Sequence, residues 1–575
     1  MFLKRCGPIK SKNEHLYWEL VESYRTARGP RQRVVAYLGD INQSAGEGVK
    51  REAEKKKGYW QSRLFDAEGE PEWTTVDTKR VRVGNVRDFG GYWLGLQMLD
   101  KLDLNSFLEQ SIPRGREDIE WSIMSQALVL WRICEPSSEL RIVEHLYERS
   151  PLADLLGIPE EKLNENRLYR SLDNLLPHKA ALEKHLKERL GTLFNLEYDL
   201  LLYDVTSTYF EGEAADNKTA QYGYSRDHRP DCKQVCIALV VSREGLPLGY
   251  EVFNGNRHDV TTVEDIVTKI ESQYGRSERI WVMDRGMLSE DNLEFLQSKK
   301  RRYIIGTPKS QLKQFEQAML SVDWEQIRDG LEVKSCPSPE GEETFVLCRS
   351  EDRAKKEKAI HERFEQRIEK GLKKIAESCQ KRKQTVGKIE RRVGRLLGAN
   401  TRAAGLFQVT VKAGKDSRVE LVWKKIENWR QWAELSEGYY MLRTNIKDWK
   451  AGELWESYIQ LTQAETAFRI QKSDLKIRPI WHQKEERVKA HILVCFLAYV
   501  LWKMLGQMCK RAGLGNEPRK VFDEIAQIKV VDVILTTKDG TTITKRCISQ
   551  PSKAQSVLLQ KLNLHLPQYM KTYQL

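Results

Sequence analysis

The stretches Leu200-Leu201-Leu202-Tyr203-Asp204 and Ile280-Trp281-Val282-Met283-Asp284 share one pattern, a short apolar run that ends in an aspartate. Apolar runs of this length are typical of buried β-strands. In open α/β sheets, functional groups gather beyond the carboxyl ends of the strands. The pattern therefore predicts two strands with Asp204 and Asp284 at their ends. A helix cap or turn aspartate is the alternative for either residue taken alone.

The sequence around both aspartates alternates between strand and helix patterns from residue 196 to residue 309, which predicts an α/β domain. The predicted strands are Cys236 to Val241, Leu248 to Phe253, Ile280 to Met283 and Tyr303 to Gly306, and the predicted helices are Val263 to Ser272 and Glu290 to Lys300.

Composition limits the class of protein. The chain has 575 residues, of which 40% are hydrophobic, so it is long enough for several domains with apolar cores and too apolar for a disordered chain. Its net charge of +13 favours a polyanionic partner, through neutralisation of phosphates and release of counterions. No apolar run approaches the roughly 18 residues of a membrane span. The ten scattered cysteines lack zinc-site spacing and are interpreted as reduced thiols, so a cytoplasmic protein is expected.

The N-terminal third divides into a β-rich part and a helical part. Residues 14 to 40 predict a β-hairpin, and a second β-like stretch ends near Gly90-Gly91. From Tyr92 to about Asn195 the pattern is helical. The segment Asn164 to Leu172 is either a recognition helix in a helix-turn-helix arrangement or part of an ordinary packed helical region.

A long insertion follows the α/β stretch. Glu351 to Gly398 carries 16 Lys and Arg against 8 Asp and Glu, a net charge of +8. Its apolar residues recur at three- and four-residue steps, and its glycines favour a helical hairpin over one rigid rod. Trp423 lies beside Lys424 and Lys425, where an aromatic ring can stack on an unpaired base. A tryptophan in a small β core is the alternative.

A third acid, Glu465, lies on a segment with helical spacing, Glu453 to Lys472. Tyr458, Glu465 and Lys472 are seven residues apart, close to two helical turns, so one helix would present all three on one face. Arg469, one turn after Glu465, is adjacent to that face. A solvated face with ordinary ion pairs is the alternative.

Three acids from separate elements suit a particular chemistry. Cleavage of a phosphodiester is slow because its negative charge repels nucleophiles, and a pair of metal ions activates the attacking oxygen and stabilises the leaving one. Mg²⁺ prefers a few carboxylate oxygens and retained waters. Asp204, Asp284 and Glu465 are therefore predicted to be catalytic metal ligands in an enzyme that acts on nucleic acid.

These residues resemble a known signature. Bacterial insertion-sequence transposases of the DDE type, in the insertion sequence 4 superfamily, carry Tyr-x2-Arg-x3-Glu-x6-Lys around the catalytic glutamate. Tyr458, Glu465 and Lys472 match that spacing, whereas Leu461 occupies the arginine position. Further similar segments are Tyr203-Asp204-Val205-Thr206, Met283-Asp284-Arg285-Gly286, Tyr222 to Asp231, and Arg478-Pro479-Ile480-Trp481-His482.

The resemblance implies a ribonuclease H-like α/β core, a mixed sheet with flanking helices, interrupted by a helical and β insertion. It implies an enzyme that binds the terminal inverted repeats of its element as a synaptic dimer, cleaves at the ends and joins the 3′-hydroxyls to target DNA. The cofactor would be two Mg²⁺ ions, with Mn²⁺ able to substitute. Expected DNA contacts are Tyr458, Arg469, Lys472, Arg226, Arg229, Lys233, Arg285 and Trp423.

Two other functions stay open on the sequence. One is a transposase-derived DNA-binding protein that has lost catalysis, and the other is a ribonuclease H-like nuclease without strand joining. The predicted domains are a β-rich region (1–91), a helical DNA-binding region (92–195), the first part of the core (196–309), the insertion (310–440), the second part of the core with the glutamate helix (441–515) and a C-terminal region with a β-hairpin (516–575).

Overall fold

The computed structural model describes residues 75–276, 278–338, 341–414 and 418–567, together with the backbone of three strands near the N-terminus. Compactness divides the chain into two units. Unit 1 comprises Met1–Ser277 and Thr462–Leu575, and unit 2 comprises Glu278–Leu461. Unit 2 is therefore one continuous segment inserted in the sequence of unit 1.

The described strands and helices follow the chain in a mixed order. The strands are β1 (Phe2–Cys6), β2 (Tyr17–Thr26), β3 (Gly29–Asp40), β4 (Arg82–Asp88), β5 (Leu200–Tyr209), β6 (Gln234–Ser242), β7 (Pro247–Asn254), β8 (Ile280–Met283), β9 (Arg302–Thr307), β10 (Glu325–Arg328), β11 (Leu331–Pro337), β12 (Thr344–Ser350), β13 (Phe407–Ala413), β14 (Val419–Lys425), β15 (Tyr439–Thr444), β16 (Lys529–Thr536) and β17 (Thr542–Ile548).

The α-helices are α1 (Gly90–Lys101), α2 (Leu104–Ser111), α3 (Trp121–Cys134), α4 (Glu139–Arg141), α5 (Leu152–Leu156), α6 (Glu165–Leu175), α7 (Lys179–Phe194), α8 (Val263–Tyr274), α9 (Glu290–Ser298), α10 (Glu316–Leu320), α11 (Glu351–Lys381), α12 (Val386–Gly398), α13 (Thr401–Ala404), α14 (Glu427–Ser436), α15 (Ala451–Ile459), α16 (Thr462–Ser473), α17 (Glu485–Arg511), α18 (Pro518–Ile525) and α19 (Lys553–Lys561). Helix and strand thus alternate through both units, which confirms a mixed α/β chain.

The strands of unit 1 pair antiparallel. β5, β6 and β7 form a meander, and all nine residues of β6 are buried, so this sheet is covered on both faces. β4 pairs with β16, which pairs with β17. The β2–β3 and β16–β17 pairs confirm the two predicted hairpins.

Helix α17 is the core helix of unit 1. Within the described part of the chain it alone has the length and composition of a membrane span, yet 78% of its apolar window is buried inside the protein. It packs against α3 and α6, and also against α16 and β7. Burial against other helices and a sheet explains its all-round apolar sequence, because such a helix needs no solvent-facing polar side.

The strands of unit 2 pair in the order β10-β11-β12-β15-β9-β8. β8 and β9 run parallel, and the other neighbours run antiparallel. Helix α15 packs against this set of strands. The parallel pair brings the carboxyl end of β8, where Asp284 follows, beside the carboxyl end of β9.

Between β12 and β15 unit 2 carries residues 351–438, here called the arm. α11 and α12 form the predicted helical hairpin, and β13 pairs with β14 as predicted. The arm has its own apolar core, whose buried members include Ile368, Leu372, Ile375, Cys379, Ile389 and Val393. Five of the apolar residues at the predicted helical spacing, Leu372, Ile375, Cys379, Ile389 and Val393, are among them, so the spacing identified the packed face.

Candidate functional site

Asp204 lies inside a strand, so its predicted position at a strand end is wrong. β5 continues to Tyr209, with Asp204 opposite Leu239 of β6. The five residues after Asp204 are β-branched, hydroxyl-bearing or aromatic, and strands favour such residues, so the strand extends past the acid. Asp204 is half-buried, and its Oδ1 accepts a hydrogen bond from the backbone N–H of Val205 at 2.8 Å. That bond restrains the carboxylate on the meander of unit 1.

Glu465 lies in the same unit as Asp204. It occupies the first turn of α16, a helix that packs against β5 and β6. Ala464, Ala467 and Phe468 are buried on the packed face, whereas Glu465 is exposed. The unpaired N–H groups of a helix N-terminus favour a nearby negative charge. Unit 1 therefore holds two of the three predicted acids on elements that pack together.

The predicted single helix from Glu453 to Lys472 is wrong, because the chain forms two helices. α15 ends at Ile459 and α16 begins at Thr462. Leu461 lies in the turn between them, where its N–H donates to the carbonyl of Tyr458 at 3.0 Å. Its side chain is 7% exposed. Tyr458 therefore does not share a helical face with Glu465, and Leu461 fills an apolar site where a buried arginine would lack water.

Asp284 follows β8 directly, as predicted, and lies in unit 2. Tyr458 of α15 donates a hydrogen bond from its hydroxyl to Asp284 Oδ1 at 3.4 Å. Burial and the charge of Asp284 raise the pKa of Tyr458 above its ordinary value, so the phenol stays protonated and able to donate. Gly306 of β9 leaves the room that this contact needs, since a Cβ there would lie 2.5 Å from the Tyr458 hydroxyl.

Lys472, near the end of α16, is anchored by a buried aspartate. Its Nζ lies 2.9 Å from Oδ1 of Asp227, whose side chain is 3% exposed. Arg478 pairs with the same carboxylate oxygen. Burial lowers the pKa of Lys472, and the partner Asp227 opposes that shift. One carboxylate thus ties the loop after β5 to α16 and to the segment that follows it.

Comparison with known families gives one match that is longer than half of the chain. Residues 195–501 match the family model described as "Transposase DDE domain", which covers more than half of the chain. The chain belongs to the DDE transposase family. Residues 8–67 of the transposase match a second model, "IS1634 family transposase, N-terminal domain". It is therefore an insertion-sequence DDE transposase, and an enzyme.

Similarity to individual proteins is weaker than the family matches. No curated protein matches the sequence. Among solved structures, the cryo-EM structure of a piggyBac transposase synaptic complex with hairpin DNA is similar, with a TM-score of 0.34 and 8% identity. The similarity covers 85% of this transposase and 82% of that chain.

Two of the four arginines predicted to contact DNA are paired with acids of the transposase. Arg226 pairs with Asp259. Arg229 lies 2.9 Å from Asp231 and 3.2 Å from Glu211, with its guanidinium over the ring of Tyr209. These contacts order the loop between β5 and β6.

The other predicted DNA contacts differ in exposure. Arg285 and Arg469 are exposed, and Lys233 is half-buried. Trp423 is half-buried and packs against the core of the arm, where its neighbours on β14 pair with β13. Arg285 directly follows Asp284, and Arg469 lies one turn after Glu465 on α16.

The donor chemistry of the three acids fits divalent metal ions. Carboxylate oxygens are the protein ligands that Mg²⁺ and Mn²⁺ prefer. The transposase offers one carboxylate on a strand, one at a strand end and one in the first turn of a helix, from Asp204, Asp284 and Glu465.

Sequence reasoning missed two residues of this site. Asp227 and Arg478 complete the ion network around Lys472, and neither was predicted to be functional. Both occur in segments whose resemblance to transposases was noted. An aspartate between two cations in space leaves no spacing signal, because its partners lie 245 and 251 residues further along the chain.

Proposed function

We propose that this transposase binds the terminal inverted repeats of its element, cleaves DNA at the ends and transfers the 3′-hydroxyl strands to target DNA. Asp204, Asp284 and Glu465 are the catalytic acids and together hold two divalent ions, Mg²⁺ by preference and Mn²⁺ as a substitute. The partner is double-stranded DNA, bound by a dimer in the synaptic complex.

The observation that carries the proposal is the pairing of acids within unit 1. Asp204 on β5 and Glu465 on α16 occupy two elements that pack against each other, with both carboxylates reaching solvent. Both residues, like Asp284, fall within the matched DDE domain. Two carboxylates on adjacent rigid elements favour metal binding, because ligands held by strands and helices keep their geometry.

The chain's own residues would prepare the site in three ways. The N–H of Val205 orients Asp204, and the hydroxyl of Tyr458 orients Asp284. Lys472, fixed by Asp227, presents a positive charge for a DNA phosphate. When bound, two divalent ions activate the attacking oxygen and stabilise the leaving oxygen of the phosphodiester.

Several finer assignments belong to the same proposal. The meander of β5, β6 and β7 and the parallel pair of β8 and β9 support a ribonuclease H-like core. The domain limits given above are proposed as they stand, with the arm inside the insertion. Membership of the insertion sequence 4 superfamily is supported by Tyr458, Glu465 and Lys472. We place the working enzyme in the cytoplasm, on the nucleoid when it is bound to DNA.

The proposal is tested by removing one acid at a time. Asp204→Asn, Asp284→Asn and Glu465→Gln should each retain binding to an end-DNA duplex. Each should lose Mg²⁺-dependent cleavage by at least about 10³-fold, because several kcal/mol of transition-state stabilisation depend on the metal ligands. Glu456→Gln, an exposed glutamate on α15, is the matched control. Normal cleavage by any of the three variants would remove that acid from the site.

The two alternative functions give different products in the same assay. A transposase-derived DNA-binding protein would bind end DNA without cleaving it at any metal concentration. A nuclease would release cut ends and leave a supercoiled target plasmid unjoined. Products that carry the element's 3′ ends covalently joined to the target support strand transfer.

A further inference from the structure

A second group of metal-binding side chains lies in unit 1 and includes none of the three acids. Glu139, His482 and His491 each offer a ligand atom, and these atoms all lie within 4.8 Å of one another. Glu139 begins α4, His482 precedes α17 and His491 lies within α17. Their residues are 5%, 8% and 6% exposed, so this is an interior cluster. Buried glutamate and histidine side chains require a partner.

The cluster borders a cavity of about 110 Å³. Arg132, Lys476, Arg478 and Trp481 also line it. A single water needs roughly 10–15 Å³ on this measure, so the cavity has space for an ion and several water molecules. The cluster therefore has an open side, as a metal site with a solvent ligand requires.

The distance between Glu139 and His482 suits a shared ion better than a direct bond. Glu139 Oε1 lies 3.5 Å from His482 Nε2. A hydrogen bond between a charged imidazole and a carboxylate is shorter, about 2.7–2.9 Å. Zinc bonds of about 2.0–2.1 Å in a tetrahedron place neighbouring ligand atoms about 3.3 Å apart. The two atoms are thus spaced as adjacent ligands of one ion would be.

His491 is oriented as a metal ligand. Its Nε2 lies 3.1 Å from the carbonyl oxygen of Ile477, an acceptor that requires the ring hydrogen on that nitrogen. Nδ1 then presents a lone pair, and metal-binding histidines commonly donate their other N–H to a backbone carbonyl.

Three cationic residues line the cavity, and Arg132 among them contacts a proposed ligand. Its Nη2 lies 3.4 Å from His491 Nδ1, and its Nη1 lies 3.4 Å from the carbonyl oxygen of Lys476. Both contacts are longer than a normal hydrogen bond of 2.7–3.2 Å, so little is lost if an ion displaces the first one. The carboxylate of Glu139 belongs to the same cluster and offsets the charge of the guanidinium.

We propose that Glu139, His482 and His491 bind one transition-metal ion, zinc by preference, with the fourth ligand position facing the cavity. Two imidazoles and one carboxylate are a common zinc ligand set, whereas Mg²⁺ prefers oxygen ligands alone. The ion would fix the segment from Lys476 to His482 against α4 and α17. Arg478 lies in that segment and pairs with Asp227, the carboxylate that also anchors Lys472. Through Arg478 and Asp227, the ion would therefore stabilise the position of α16, the helix that carries Glu465.

The test measures metal binding by the full-length protein without DNA. The protein is stripped with a chelator and titrated with Co²⁺, whose visible absorption reports four-coordinate nitrogen and oxygen ligands. One equivalent of Co²⁺ should bind and be displaced by one equivalent of Zn²⁺ but not by excess Mg²⁺. Zn²⁺ should also raise the thermal unfolding midpoint, since a ligand that binds only the folded state stabilises it.

Matched variants separate this site from the acid site. Glu139→Gln and His482→Gln should weaken Co²⁺ binding by at least about 100-fold, more than the loss of an outer-shell partner. His258→Gln, which changes an exposed histidine of the same unit, should bind Co²⁺ as the unaltered protein does. The proposal is overturned if the unaltered protein binds no Co²⁺ or Zn²⁺ at one equivalent. It is equally overturned if folded Glu139→Gln protein binds Co²⁺ normally, and neither result depends on transposition.

Discussion

The two aspartates that share a sequence pattern are held in different ways. Asp204 lies in the middle of a ten-residue strand, whereas Asp284 ends a four-residue strand. The residues that follow decide the outcome, since Val205 and Thr206 continue a strand and Arg285-Gly286 enters a turn. Unit 1 contains an ion network in which Lys472 and Arg478 pair with Asp227, and in unit 2 the hydroxyl of Tyr458 donates to Asp284. Two aspartates with the same local sequence pattern therefore lie in different units with different contacts. The ion network of unit 1 and the tyrosine contact of unit 2 can each be removed by a separate substitution.

The largest effect on stability is expected from the ion network of Asp227, Lys472 and Arg478. Asp227→Ala leaves the partly buried cations Lys472 and Arg478 without their shared acid, and removing one partner of a buried ion pair costs about 3–5 kcal/mol. Thermal or denaturant unfolding of the full chain measures the loss. Asp231→Ala is the control, because its side chain is 63% exposed and such a pair contributes below about 1 kcal/mol. Equal losses from both variants would show that the two pairs do not differ.

A smaller, pH-dependent effect on stability is expected where α17 packs against α16, the helix that carries Glu465. Lys503 of α17 donates to Gln463 of α16 at 3.3 Å, and burial lowers the pKa of Lys503 to about 8. The nearby charges are Glu244, which opposes the shift, and Lys510, which adds to it. Between pH 8 and about 10.4 the unfolded chain holds more protons than the folded chain, so stability rises with pH in that window.

Lys503→Met tests this by removing the buried charge. It should stabilise the protein at pH 7 by at most about 3 kcal/mol and have little effect near pH 10.4. Unfolding midpoints of both proteins across that pH range provide the measurement. A constant difference between the two proteins at every pH would contradict a depressed pKa for Lys503.

The smallest effect is expected from loss of the hydrogen bond that Tyr458 donates to Asp284. Tyr458→Phe removes one hydrogen bond to Asp284 and should lower Mg²⁺-dependent cleavage by about tenfold, as outer-shell partners of metal ligands do. Stability should change by about 1 kcal/mol. Tyr440→Phe is the control in the same unit, since its hydroxyl accepts from Trp455 and does not contact Asp284. A cleavage rate equal to that of the unaltered enzyme would show that Asp284 needs no help from Tyr458.

The periodicity of apolar residues predicted the helices and strands of this fold better than the breaks between them. Both hairpins, the strands β6 to β9 and the arm's helices follow from local patterns of apolar residues and turn residues. The break between α15 and α16 was not predicted, because Gln460 and Leu461 are ordinary helix formers and only burial of Leu461 in the turn separates the helices. Tertiary contacts outweigh propensity at that point.

The three candidate acids were predicted from the sequence, but the residues of the ion network and of the Glu139, His482 and His491 cluster were not. Pattern and resemblance selected Asp204, Asp284 and Glu465, although Asp204 lies within its strand and not at the end. Asp227 and Arg478 interact through the fold, and Glu139, His482 and His491 come from three separate parts of the chain. Long-range juxtaposition of this kind leaves no periodic signal in one sequence.

The arm leaves and rejoins its sheet at a single point. The N–H of Ser350, the last residue of β12, donates to the carbonyl of Gly438 at 3.1 Å, just before β15 begins. Gly438 has a φ of 81°, and a Cβ there would lie 2.6 Å from the Ser350 carbonyl oxygen, so this closure requires glycine. Since the two strands pair directly, the intervening length is free to change at low entropic cost. A change in the length of the arm would therefore leave the pairing of β12 with β15 in place.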